Sequence, residues 1–146
     1  MKRRIPGLAK AGQQEDSLPD GEYLVHIVRA QYRWQKQKPF YSLAFSVLQP
    51  EELMGASIQG RLYCTVKALW KLSWFLKDFG YDGDLLERDE LDEKALVGLR
   101  GVVRISYTHN LTGQSFLNLE AFAPADRWPD IQQAISQQEA AEKDVA

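Results

Sequence analysis

Three rings and three cations crowd residues 32–40, where Tyr32, Trp34 and Phe40 are interleaved with Arg33, Lys36 and Lys38. That mixture suits the chemistry of single-stranded nucleic acid. A base offers a flat π-face that stacks on an aromatic side chain for about 1–3 kcal/mol, while cations follow the phosphates between the bases. Arg61 and Tyr63 repeat the pairing on a neighbouring short segment, and alternation puts Arg104 and Phe116 outward on a later hairpin. The expected interface is therefore Tyr32, Arg33, Trp34, Lys36, Lys38, Phe40, Arg61, Tyr63, Arg104 and Phe116, with cations on phosphates and rings on bases. A plainer reading of the same hairpin folds its rings back over the domain and uses its cations to keep a strand edge soluble.

Other chemistries find less support. Catalysis needs convergent titratable groups, whereas His26 falls inside a strand pattern and His109 beside a hairpin turn, with no Gly-framed serine. The expectation is a non-enzymatic protein without cofactor or metal. The run "DFGYDGDLLERD" resembles a calcium loop at Asp78, Asp82, Gly83 and Asp84, but its third position is Gly80 and its twelfth is Asp89 rather than Glu. It reads as a solvated acidic connector. The lone Cys64 has no cysteine to pair with and reads as a small buried residue in a reducing compartment.

The elements that must carry these residues follow from periodicity. "GEYLVHIVRAQYRW" alternates Tyr23, Val25 and Ile27 against Leu24, His26 and Val28, then slips phase near Arg29 and Ala30, as a bulge would cause. "QKQKP" is the expected turn, with Pro39 stopping the ladder. "FYSLAFSVLQP" sends Tyr41, Leu43, Phe45 and Val47 to the core and Phe40, Ser42, Ala44 and Ser46 to the surface. "IQGRLYCT" is a third strand with a bend at Gly60. "VKALWKLSWFLKDFG" changes to a helical period with Leu69, Leu72, Leu76 and Phe79 on its apolar face, and Gly80 is its stop. Trp70 and Trp74, one turn apart, are expected to pack on the end of the domain. Two strands around "NLTG" form a hairpin, and a weak helix closes the chain.

Five short strands with one helix between the third and fourth is the order of an OB-fold, a five-stranded, partly open Greek-key barrel that binds oligonucleotides on its second and third strands. A five-stranded α+β domain has the same order. The expected division is a flexible basic arm over 1–18, the mainly β OB-like domain over 19–124 and a helical tail over 125–146.

The formal net charge of -2 hides a segregation. Residues 55–77 carry Arg61, Lys67, Lys71 and Lys77 and no acid, while acids collect in 78–93 and in the tail. A basic face is compatible with that total. No stretch approaches the roughly 18 apolar residues of a membrane span, so a cytoplasmic protein without membrane contact is expected.

The segments "PDGEYLVHIVRA", "YSLAFSVLQPEELMGASIQGRLY", "LWKLSWFLKDFG" and "LVGLRGVVRISYTHNLTGQSFLNLEAFAP" together resemble a family of short phage and prophage proteins. The likeness runs over residues 18–124 and touches framework positions: Gly21, Glu22, Tyr23, Gly60, Gly80, Gly98 and Asn118. It implies a single-stranded DNA-binding protein of low sequence specificity in phage-type replication or recombination. Its partners would be single-stranded DNA, with RNA also compatible with stacking, and replication or recombination proteins or other copies of itself. The alternative is an assembly module that uses the same β-domain without nucleic acid, the exposed hairpin rings being its contact patch.

Overall fold

The apolar alternation of Tyr23, Val25 and Ile27 builds the first half of β1 (Gly21–Gln35), and all three are buried. The computed structural model describes residues 2–6 and 18–144. Most of the basic arm expected over 1–18 therefore lies outside the described residues. The expected phase slip is present: Ile27 pairs with Phe45 and Arg29 with Ala44, leaving Val28 as the extra residue. Such a bulge bends its strand and reverses which parity faces the core. Past it, the core side continues through Ala30 to Tyr32 and Trp34.

Lys36 and Gln37 adopt φ of 50° and 64° and form the whole turn, the left-handed pair that a two-residue hairpin requires. The turn is thus shorter than the expected "QKQKP". β2 (Lys38–Gln49) begins at once, and Pro39 sits inside the ladder opposite Trp34. Proline is tolerated so near a strand start, and its carbonyl still accepts the Cys64 N–H at 2.9 Å. Tyr41, Leu43, Phe45 and Val47 are buried as alternation requires. In β3 (Ser57–Tyr63), Ile58 and Leu62 continue the same core.

Between β3 and β4 the expected single helix is three. α1 (Leu69–Asp78) buries Leu72, Phe75 and Leu76, whereas Leu69 stays exposed. It ends where expected: Gly80 has φ +76° and the Tyr81 N–H reaches back to the Leu76 carbonyl at 2.9 Å. The acidic run then folds into α2 (Gly83–Glu87) and α3 (Glu93–Leu96). Its carboxylates are caps: Asp82 accepts the Asp84 and Leu85 N–H groups and Asp92 accepts that of Lys94. The Tyr81 hydroxyl ties the run down, donating to the Glu90 carbonyl and accepting the Asp92 N–H, both at 2.9 Å.

β4 (Arg100–His109) and β5 (Ser115–Pro124) form the expected hairpin, its turn organised by Asn110 Oδ1, which accepts from the backbone of Thr112 and Gln114. A terminal helix, α4 (Trp128–Asp144), is anchored by buried Trp128. Among the described residues no helix is long and apolar enough to cross a membrane.

The fold is mainly β, an open five-stranded antiparallel sheet in the order β3-β2-β1-β4-β5 with a few helices. Closure into a barrel would need a ladder between β3 and β5, and none joins them among the described residues. The two strands nevertheless touch. A Cβ on Gly60 would lie 2.6 Å from Leu119 Cδ1 of β5, so this glycine serves a close approach rather than the expected bend. Beside that seam α1 inserts Phe75 and Phe79, which meet Phe122 of β5 and Phe45 of β2 at ring separations of 5.3–6.3 Å.

Candidate nucleic-acid interface

Antiparallel register fixes which candidate side chains share a face. Three cross-strand rows run over β1, β2 and β3: Arg29–Ala44–Gln59, Gln31–Ser42–Arg61 and Arg33–Phe40–Tyr63. All nine residues lie on the side away from the core. Arg29, Arg33 and Arg61 supply its charge, and no acid occupies any of the rows. A shallow depression of about 510 Å³ opens there, with Arg33, Gln35, Phe40, Ser42 and Arg61 in its lining.

Phe40 belongs to this face and yet is only 4% exposed. The Arg61 guanidinium carbon sits 4.8 Å above its ring centre and the Tyr63 ring packs beside it at 5.5 Å. The ring expected as an open platform is therefore already covered by a cation. Arg61 is steadied by a hydrogen bond from Nη1 to Gln35 Oε1. Arg33 is steadied in the same manner, donating from Nη2 and Nε to Gln31 Oε1 at 2.6 and 3.2 Å. An amide oxygen orients a guanidinium without cancelling its charge, which a carboxylate would do.

Tyr32 and Trp34 join the expected grouping from the other side of β1. The bulge puts both rings on the core-facing side of the hairpin, opposite Arg33, Phe40 and Arg61. The Tyr32 ring lies 5.3 Å from buried Tyr41 and 6.0 Å, edge-on, from Trp34. Both stay exposed, at 41% and 63%, because the hairpin outruns the helices that cover the core. They nevertheless line the same depression as Arg33, Phe40 and Arg61, on the stretch of β1 beyond His26 where β4 pairing has ended. There the Tyr32 N–H donates to Glu93 Oε1 at 3.0 Å. A carboxylate beside these rings disfavours a phosphate chain.

The remaining candidates divide similarly. Lys36 occupies the turn, and Lys38 pairs with Gln35 at the exposed tip. Arg104 stands on β4 opposite Glu22, near the far end of β1, with its Nε 3.8 Å from Glu22 and 3.7 Å from Glu120. Two carboxylates already answer its charge, so it does not join the cationic face. Phe116 is 53% exposed on the outer side of β5, three residues before the Leu119 that meets Gly60. Trp74 packs on Phe122 at 5.4 Å as expected, but Trp70 only stacks on Trp74 and is 64% exposed.

Sequence reasoning missed Arg29, Gln31 and Gln35. Their signal lay in the bulge: alternation already aligns all three with Arg33, and the slip at Val28 turns the whole set outward.

Burial dominates the shifted titrations. Tyr23 and Tyr41 are each pushed up to about 12, first by burial and then by neighbours that include Tyr107 for the former and Cys64 and Glu93 for the latter. Burial also pushes the Cys64 thiol up, which suits an inert half-buried side chain rather than a nucleophile. In comparisons with known proteins, no family model matches the chain and no curated protein matches it.

Proposed function

We propose that this domain binds single-stranded DNA with little sequence preference, over the outer face of β1, β2 and β3 of a partly open OB-like barrel whose lips are β3 and β5. The observation that carries the reading is the pairing of Arg33 and Arg61 with glutamine amides on cross-strand rows without acids, one of them seated on Phe40. Arg29, Arg33 and Lys38 hold phosphates, and the charge of Arg61 neutralises a fourth. A base stacks on the outward plane of Arg61 and on Tyr63, so Phe40, guanidinium and base form a layered stack. Such contacts read the backbone and the π-face, not base edges, and sequence tolerance follows. A role in phage-type replication or recombination fits that tolerance.

Anisotropy of a labelled oligo-dT at two salt concentrations tests the proposal. Three to four neutralised phosphates predict a slope of about -2 to -3 in log affinity against log salt. Arg61→Lys, which keeps the charge and loses the plane, should weaken binding about tenfold. Absent or salt-insensitive binding at micromolar protein refutes it, and an oligo-U that binds equally well broadens the ligand to RNA.

A second reading has its own observation: Tyr32 and Trp34 are exposed, and the Glu93 carboxylate bonds the backbone beside them. As a protein contact patch they would mediate self-association. Trp34→Ala would then change the elution volume in size-exclusion chromatography while leaving DNA affinity untouched.

A further inference from the structure

The chain beyond β3 carries another exposed ring. After Tyr63 the Cys64 N–H still bonds to the Pro39 carbonyl at 2.9 Å, so the chain leaves the sheet alongside β2 and enters α1 through the single turn Val66–Ala68. The first turn of α1 carries Trp70. Its neighbour Trp74 is fixed twice, by an Nε1–H bond to Asp78 Oδ2 at 2.7 Å and by an edge contact with Phe122 at 5.4 Å. Trp70 lies nearly parallel to Trp74, at 20° with 6.2 Å between ring centres. One face of the outer indole is thus backed by an immobilised ring while the side chain remains 64% exposed.

We propose that Trp70 is a second base platform, receiving a nucleotide of the same single strand beyond the one held at Arg61 and Tyr63; this rests on the nucleic-acid reading above. A flat ring prefers to extend an existing offset stack, and Trp70 needs no ordering to accept one. Lys67 is exposed on the preceding turn, whereas Lys71 is half-buried and has the Glu120 carboxylate as its electrostatic partner. The Lys67 charge matches phosphates passing from one platform to the next. Exposed Val66 and Leu69 widen the platform's apolar rim.

Anisotropy of oligo-dT of about 5 and about 16 nucleotides, near the ends of the range of OB-fold site sizes, separates the two platforms. In the full chain, Trp70→Ala should weaken the longer oligonucleotide about tenfold and leave the shorter unchanged, with Trp70→Phe between. Because the ring is exposed, the variants should melt with the parent protein. Longer-oligonucleotide affinity unchanged in Trp70→Ala, with wild type binding both, overturns the second platform and spares the first. Wild type that binds neither oligonucleotide overturns both. A change in elution volume at unchanged DNA affinity overturns the platform in favour of a protein contact at Trp70.

Discussion

Glutamine, rather than glutamate, holds Arg61 and Arg33, and the difference of one oxygen decides whether this face keeps its positive potential. Gln35→Glu should leave the fold intact, since the residue is exposed on the hairpin and a charged partner still bonds the guanidinium. Its effect belongs to the ligand: the salt slope for oligo-dT should fall by about 0.7, the share of one phosphate, with affinity falling alongside. An unchanged slope would remove Arg61 from the phosphate contacts. Tyr23 and Tyr41 make a different residue-scale prediction. Their folded pKa of about 12 lies above the ordinary 10.0, so each keeps its proton in the folded state after the unfolded chain has lost it. The unfolded state then binds fewer protons and stability falls as pH rises. That contribution is whole below pH 10 and is lost toward pH 12. Denaturation midpoints followed across this window, with tyrosinate absorbance as the monitor, should show the loss, and Tyr41→Phe should reduce it.

At the scale of elements, the seam between β3 and β5 rests on contact rather than on a ladder. Gly60→Ala puts a methyl 2.6 Å from Leu119, and the overpacking should cost about 1–3 kcal/mol in chemical denaturation. Leu119→Ala removes the obstructing atoms at its own cost. The double variant should therefore be more stable than the sum of the two predicts, by about 1 kcal/mol, as expected for residues in contact. Simple additivity would mean that β3 and β5 do not touch in solution. The seam was hidden in the sequence because a glycine inside a strand signals a bend as readily as a close neighbour. Alternation did make the strands legible: Tyr23, Val25 and Ile27, then Tyr41 to Val47, are buried where their period of two requires. The slip at Arg29 was legible too. Its consequence reached further than local pattern reading, since one extra residue decided that Tyr32 and Trp34 take the core side while Arg33 turns outward. The caps in 82–92 escaped because Asp and Glu in a row suggest a solvated loop until the hydrogen bonds that start two helices are seen. Trp70 and Trp74 share a helical spacing, but only tertiary contacts distinguish the packed ring from the open one.

For the whole molecule, charge separation matters more than the total of -2. Arginines with amide partners face outward on β1 to β3, while carboxylates cap α2 and α3, reach the β1 edge through Glu93 and surround Arg104. On the proposed reading, a single strand approaching this field would be drawn to the acid-free rows and repelled by the carboxylates elsewhere. The separation predicts opposite outcomes for two arginines that composition treats alike. Arg29→Ala, on the acid-free rows, should weaken oligo-dT binding and lower its salt slope by about 0.7. Arg104→Ala should leave both unchanged, because removing it frees Glu22 and Glu120 on β1 and β5 without changing any of the acid-free rows. The cost there is confined to stability, at about 0–1 kcal/mol for an exposed ion pair. Equal losses of affinity in the two variants would mean that the strand follows net charge rather than this face, and the site would have to extend across β4.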